Sequence, residues 1–385
     1  MILSVVIVSY NVKFFLEQCL SSLQKAVEGS TLLREQAEVF IIDNASKDGS
    51  LDFLAPLFPG FHFIQQKGNT GFAKANNEAL RRCTGRFILF LNPDTILAED
   101  TLDICLSFFR DTADAGALGV HMVDGRGNYL KESKRGFPSP RASFFKMAGL
   151  TTLVPRSKFI SGYYMGHLRE NVPHAVDILS GAFMMVRKDI LDKTGGFDEQ
   201  FFMYAEDIDL SYRITRNGYR NYYLPSTGII HFKGESTRKD IRYVKMFYTA
   251  MKQFIKKHYP GSGSSLQLFF LQSGVRLHQF LAFLRLPFKK SVAPRRNPLR
   301  IYIKGEPEMQ RFWKQILGAK NIPLSDSENE GEEILFCEGP DQTWKTIITE
   351  IENNKKQRSF KFYGHGTHAA VGSNSSREPG EVIEI

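Results

Sequence analysis

Three places in this chain gather side chains that can do chemistry. Asn92-Pro93-Asp94 follows an apolar run and precedes a helical pattern. A carboxylate at a strand's end can hold a hard divalent cation on one side while the cation's other face grips two phosphate oxygens. A plain Asn-Pro-Asp turn has the same composition, because Pro and Asp favour turns. Glu206-Asp207-Ile208-Asp209 sets three carboxylates at the start of a second helical pattern. Negative charge is favourable at a helix N-terminus, so capping explains at least one of them. Three within four residues exceed what capping needs. The preceding aromatic run, Phe197 to Tyr204, would wall a pocket and raise a carboxylate's proton affinity toward that of a general base. His231 ends a strand-like segment; an imidazole can be the second protein ligand of an Mn²⁺-like ion, although an isolated histidine is equally an ordinary polar side chain.

The elements that must position these groups alternate. Residues 5–8, 39–42, 61–64 and 87–91 are apolar and β-branched or aromatic, as in buried strands, and 14–23, 71–82 and 101–110 have helical periodicity. That alternation predicts a mainly parallel sheet with helices on both faces, whose ligands sit at the carboxyl ends of the strands. The polar residues just after each strand then become the ones of interest: Ser9, Tyr10 and Asn11; Asp43 and Asn44; residues 66–69; and Asn92 to Asp94. Residues 136–173 break the pattern with Pro, Gly, aromatic and basic residues, as an acceptor-side loop or lid would. Strands are expected again at 177–187, 222–224 and 228–232, with helices at 206–217 and 242–258.

Three units follow: a core over 1–260, a linker with a basic amphipathic segment over 261–298, and a small α/β domain over 299–385. From 285 to 304 there are seven Lys or Arg and no acid, beside a Leu- and Phe-rich stretch. That composition suits a segment lying on an anionic membrane surface. A helix packed on the domain with a solvated basic tail has the same composition. His365 and His368, near two glycines, are more simply surface-loop histidines than a site.

With 42% hydrophobic and 24% charged residues, the chain has material for a packed core and is not disordered by composition. Its 32 Phe fit a protein that binds sugars or touches lipid, and fit a Phe-rich core equally. A net charge of +9 points to anionic partners without choosing among them. Cys19, Cys83, Cys105 and Cys337 are scattered, with no chelating or disulfide spacing, which suits a reducing compartment. The first apolar run is too short for a signal peptide, and no uncharged stretch is long enough to span a bilayer.

Taken together, Val5-Val-Ile-Val-Ser-Tyr-Asn11, Ile42-Asp-Asn-Ala-Ser-Lys-Asp-Gly-Ser50, Asn69-Thr-Gly-Phe-Ala-Lys-Ala-Asn-Asn77, Leu91-Asn-Pro-Asp-Thr95 and Phe201-Phe-Met-Tyr-Ala-Glu-Asp-Ile-Asp-Leu210 resemble family 2 glycosyltransferases of the GT-A fold. The branch that looks most similar contains rhamnosyltransferases and galactofuranosyltransferases, and the motifs keep the family's order over about residues 2–258. The resemblance implies that Ser9 and Tyr10 line a nucleotide pocket and that Asp43 contacts the base or ribose. It implies that Asn69, Gly71, Lys74 and Asn92 border the nucleotide sugar, and that Asp94 and His231 hold Mn²⁺ or Mg²⁺. Asp207 is the implied general base, with Glu206 beside it placing the acceptor. Asn92 stands where the family's motif has its first Asp, so one metal carboxylate is missing.

The implied reaction is inverting transfer from a nucleotide diphosphate sugar, dTDP-rhamnose first, to a hydroxyl of a lipid-linked or cell-surface glycan. The implied place is the inner face of the cytoplasmic membrane, with no nucleic-acid partner. A sugar-1-phosphate nucleotidyltransferase would want a Gly-rich basic loop after the first strand, which Ser9-Tyr10-Asn11-Val12 does not offer. A dinucleotide-dependent oxidoreductase would need G-x-G-x-x-G at the same turn, and that is absent. A non-enzymatic anion-binding protein at a membrane surface explains the charge but leaves the carboxylate cluster without a purpose.

Overall fold

The computed structural model describes residues 1–137, 157, 162–235, 241–259, 299–354, 358–373 and 380–385. Most of the basic segment and much of the 136–173 loop fall outside those residues. In chain order the elements of the first part are β1 (Leu3–Ser9), α1 (Lys13–Gly29), β2 (Ala37–Asp43), α2 (Ser50–Leu54), β3 (His62–Gln65), α3 (Phe72–Leu80), β4 (Phe87–Leu91), β5 (Thr95–Leu97), α4 (Thr101–Asp111), β6 (Ala115–Val123), β7 (His174–Val176), β8 (Phe183–Arg187), α5 (Lys188–Thr194), α6 (Glu206–Arg216), β9 (Arg220–His231) and α7 (Ile241–His258).

Nine strands form one sheet in the order β3-β2-β1-β4-β8-β6-β9-β5, with β7 also paired to β9. β3, β2, β1 and β4 run parallel, while β8 is antiparallel to both β4 and β6. Every residue of β1 and β4 is buried, as expected of strands covered on both faces. α1 lays Leu16, Cys19, Leu20 and Leu23 on the sheet at helical spacing. The parallel half therefore ends with Ser9, Asp43 and Leu91 at one rim, and the loops after them build the site. All four cysteines are buried and free.

The structure refines several sequence expectations. The strands expected at 222–224 and 228–232 are one strand, β9. Its ladder with β6 passes from Leu224 opposite Val120 to Gly228 opposite His121, so Pro225, Ser226 and Thr227 bulge out. A proline cannot donate to a ladder, which is why the pattern broke there. Of the strand expected over 177–187, only Phe183–Arg187 is one; Ile178 makes an isolated bridge to Arg135. β6 was not anticipated because it carries two glycines. Added Cβ atoms at Gly116 would meet Ile214 and Tyr219 side-chain atoms at 2.7 Å, so the residue is set by how closely α6 packs.

The last part contains β10 (Ile301–Lys304), α8 (Pro307–Ala319), β11 (Glu333–Cys337), α9 (Trp344–Glu352), β12 (Ser359–Tyr363), β13 (Ala369–Gly372) and β14 (Glu381–Glu384). It forms its own five-stranded sheet, parallel from β10 to β12 and antiparallel from there. Its inner face is not independent of the larger unit. Trp344, Ile347, Ile348 and Ile351 of α9, with Phe336, Phe360 and Phe362, belong to the same apolar cluster as α1, β5 and β9. Polar contacts seal the seam: Gln18 donates to the Ala369 carbonyl at 2.8 Å, and Glu99 accepts from the Trp344 backbone at 2.6 Å. His368 pairs with buried Glu17 at 2.6 Å, and the His365 backbone donates to Glu338. Among the described residues no helix is long and apolar enough to cross a membrane.

Candidate active site

At the rim formed by β1, β2 and β4 a cavity of about 390 Å³ opens. Val8, Tyr10, Asn44, Asn69 and Phe72 line one end. Behind them lie Ser9 and Asp43, opposite each other across the β1–β2 ladder and both buried. The Ser9 hydroxyl and Asp43 Oδ1 have no hydrogen-bond partner among the described residues, while Asp43 Oδ2 accepts from the Ser46 backbone at 3.1 Å. Buried polar atoms left unpaired are costly unless a ligand completes them. Asn44, which sequence reasoning noticed without giving it a role, accepts from the Thr70 backbone at 2.9 Å and donates to Asn69 at 3.1 Å. It ties the loop after β2 to the loop before α3. Gly71, just before α3, has φ +83, and a Cβ there would lie 2.4 Å from the Phe202 carbonyl. Only glycine lets these backbones approach so closely. Lys74 is exposed on α3 and is not among the residues lining the cavity.

The middle of the cavity holds the second group. Thr95 pairs with His231 across β5 and β9, and the Phe232 backbone donates to the Asp94 carbonyl at 3.0 Å. That short ladder sets His231 Nε2 3.5 Å from Asp94 Oδ1, with Asn92 Nδ2 3.4 Å from the same ring nitrogen. Asp94 and His231 are buried, and His231 Nδ1 has no partner among the described residues. A carboxylate and an imidazole facing one another can share a hard cation, leaving its other positions to phosphate oxygens and water. Among the described residues no third His, Cys, Asp or Glu completes a cluster, in keeping with Asn92 in place of a carboxylate. Lys233 and Glu132, both unanticipated, form an ion pair at this wall.

The third group comes from α6. Tyr204 and Ala205, at φ 71 and 66, turn the chain sharply into the helix, a left-handed conformation costly for side-chain-bearing residues and typical of functional turns. No side chain caps the helix at Ala205, and all three carboxylates lie in its first turn. Glu206 and Asp207 line the cavity. Asp209 does not: it is fully buried on another side of α6, held by Arg213 at 2.7 Å, Lys257 at 2.7 Å and His258 at 2.6 Å. Asp207 Oδ2 pairs with Arg135 and takes the Gly181 backbone N–H at 3.4 Å, while Oδ1 accepts the Ile208 N–H at 2.8 Å. Glu206 is buried with Oε2 unpaired; burial first, then the neighbouring Asp207 charge, pushes its carboxyl up to about 8. Near neutrality Glu206 is thus the protonated member of the pair. Arg135, Tyr163, Tyr164, Met203 and Tyr204 line the same cavity. Arg135 escaped sequence reasoning because it sits in an irregular Lys-Arg-Gly-Phe run with no periodicity to mark it.

A nucleotide-sized cleft at the carboxyl ends of parallel strands, a carboxylate–imidazole pair and a base candidate define a nucleotide-sugar-dependent transferase of the GT-A type. "Glycosyl transferase family 2" matches residues 4–195. The chain is 30% identical over 251 residues to an N-acetylglucosaminyl-diphospho-decaprenol L-rhamnosyltransferase of Mycobacterium tuberculosis, covering 62% of this chain and 78% of that protein. It is 28% identical over 231 residues to Rhamnosyltransferase WbbL of Escherichia coli K12, covering 56% of this chain and 80% of that one. Among solved structures it is similar to mannosyltransferase PcManGT of Pyrobaculum calidifontis, at 16% identity, coverage of 83% and 79%, and a TM-score of 0.49. The chain belongs to glycosyltransferase family 2, on its rhamnosyltransferase-like side.

Proposed function

We propose that this enzyme transfers rhamnose, with inversion, from dTDP-rhamnose to a hydroxyl of a lipid-linked saccharide. The observation that carries the proposal is one cavity holding both the Asp94–His231 pair and the Glu206–Asp207 pair, with unpaired Ser9 and Asp43 atoms behind its nucleotide end. The sugar and the acceptor class come from the two rhamnosyltransferase relatives, one of whose names specifies a lipid diphosphate acceptor.

Asp207 takes the proton from the acceptor hydroxyl as that oxygen attacks the anomeric carbon from the side opposite the diphosphate. The bond from anomeric carbon to diphosphate oxygen breaks, and the nucleoside diphosphate leaves with the electron pair. A single displacement inverts the anomeric centre. Asp94 and His231 would hold Mn²⁺ or Mg²⁺, which when bound neutralises charge on the departing diphosphate. Asn69 and Asn92 border the sugar and diphosphate, Tyr10 the base. Protonated Glu206 donates toward the acceptor, and Tyr163 and Tyr204 offer it aromatic faces. The basic stretch from 285 to 304 brings the enzyme to an anionic membrane surface, where such an acceptor resides.

The test is incubation with Mn²⁺, a polyprenyl-diphospho-N-acetylglucosamine acceptor, and dTDP-, UDP- and GDP-sugars in parallel. Release of dTDP with formation of a rhamnosylated lipid is expected. Turnover with a UDP- or GDP-sugar alone would overturn the donor, and release of pyrophosphate the reaction type.

A further inference from the structure

The described part of Asp207's surroundings accounts for nearly all of its acceptor capacity, and one residue outside the family motifs supplies its only side-chain donor among the described residues. A carboxylate oxygen has two lone-pair directions. On Oδ2 both are taken, by the Arg135 guanidinium and by the Gly181 N–H. On Oδ1 one is taken, by the Ile208 N–H, which leaves a single direction for a proton. Arg135 is itself fixed. Its backbone forms a two-way bridge with Ile178, at 3.3 and 2.9 Å, and its Nη2 also donates to the Leu179 carbonyl at 2.7 Å. The chain after β6 is thereby stitched to the chain before β8, with the guanidinium carried inward between them.

We infer that Arg135 is a positioning residue for the transfer: it locks Asp207 in one orientation, occupies Oδ2, and leaves Oδ1 as the atom that receives the acceptor's proton. This inference rests on Asp207 being the base. It adds which oxygen acts and which cation faces the carboxylate beside buried Glu206. The groups around the pair are Glu206 on α6, and Tyr163 and Glu132, whose negative or polar oxygens also favour the guanidinium. Burial disfavours charge on Arg135, but Asp207 outweighs it and holds the guanidinium firmly protonated. Without Arg135, the buried Glu206 and half-buried Asp207 carboxyls would lose the guanidinium that faces them.

Arg135→Gln, Arg135→Lys and Asp207→Asn are compared with the parent by kcat across pH 5 to 9 and by donor Kd from calorimetry. For Arg135→Gln, kcat at pH 7 should fall at least about 10-fold, and its acid limb should move alkaline by at least about one unit, with donor Kd within about twofold. Arg135→Lys keeps a cation but not the fork, so it should slow turnover while leaving the acid limb near the parent's. In Arg135→Gln, a rate loss equal at all pH values, or an unchanged rate, would overturn the role of Arg135. If Arg135→Gln fails to bind donor and so has not folded, Arg135→Lys decides: a parent-like rate overturns the inference, and a slower rate on an unmoved limb supports it. Normal turnover in Asp207→Asn would instead remove the base assignment, and this inference with it.

Discussion

Charge at single residues separates the three carboxylates of α6. Asp207→Asn keeps size and much of the hydrogen bonding but cannot accept a proton, so kcat should drop at least about 10²-fold with little change in donor affinity. Steady-state rates beside donor titrations check this, and a near-parent rate would mean the base lies elsewhere. Asp94→Ala should instead weaken binding of nucleoside diphosphate in Mn²⁺, with His231→Ala milder, because the carboxylate is the harder ligand. Equal affinity in Asp94→Ala and the parent would remove that pair as the cation site. Glu206 makes a separate prediction about pH. Its carboxyl lies at about 8 in the fold against 4.5 as a free group, so the folded state holds the proton more tightly. Stability from this residue is full below about 4.5 and is lost as pH rises through about 8. Glu206→Gln mimics the protonated form, so its melting temperature should fall less than the parent's between pH 5 and 8. Parallel curves would show that Glu206 is not buried in its neutral form. That Asp94, Glu206 and Asp207 line one cavity was legible from short motifs, and His231 from its place at a strand's end. Arg135, Glu132 and Lys233 were not, since each is paired with a partner distant in sequence.

Individual elements explain why the third carboxylate differs from its neighbours. α6 turns about 100° per residue, so Asp209 leaves the helix on a different side from Asp207. It meets the end of α7, where Lys257 and His258 join Arg213 around it. Burial alone would raise its carboxyl, but the His258 hydrogen bond, Arg213 and Lys257 outweigh this and hold it at about 2. Against 3.8 for the free group, that difference is roughly 2 kcal/mol, present above pH 4 and lost as pH falls through about 2. Asp209→Asn leaves the Arg213 and Lys257 cations facing a neutral amide and should cost about 3–5 kcal/mol. It should also flatten the acid side of the stability curve, which urea titrations at pH 3 and 6 will show. A loss under about 0.5 kcal/mol would mean that α7 is not held by this network. The alternation of strands and helices was readable as far as β4, where burial on both faces makes continuous apolar runs. It blurred at β6 and β9, where glycines chosen for helix packing and a proline bulge interrupt the pattern that the fold tolerates.

Over the whole molecule, the unit after residue 299 changes what a truncation can mean. From sequence it was a small α/β domain of unassigned role, and its own sheet fits that description. Its packing was not legible, because the side chains that join it to the core look like any domain's interior. Phe362 lies 5.6 Å from Phe232, which follows His231 directly, and Phe232 lies 5.0 Å from Phe15 of α1. The Gly380 N–H donates to Glu235, in the loop just beyond Lys233. The smaller unit therefore backs the arm that carries His231 and Lys233. Membrane attachment is accordingly better tested by charge than by deletion. Replacing Lys289, Lys290, Arg295 and Arg296 with Glu should abolish sedimentation with anionic vesicles while transfer to a short soluble acceptor persists; unchanged sedimentation would remove the segment as the anchor. Deletion of 299–385, in contrast, would bare the apolar faces of α1, β5 and β9 that α9 and β12 now cover. Phe362→Ala probes the same contact without removing the unit, and should cost about 3–5 kcal/mol as a large core side chain is lost. Because the cavity opens beside Phe232, the variant should also raise the Mn²⁺ concentration needed for half-maximal donor binding, at a temperature where it remains folded. Urea unfolding and metal-dependent donor titration together check this. A stability loss without any change in metal requirement would show that the smaller unit supports the fold but not the arm bearing His231.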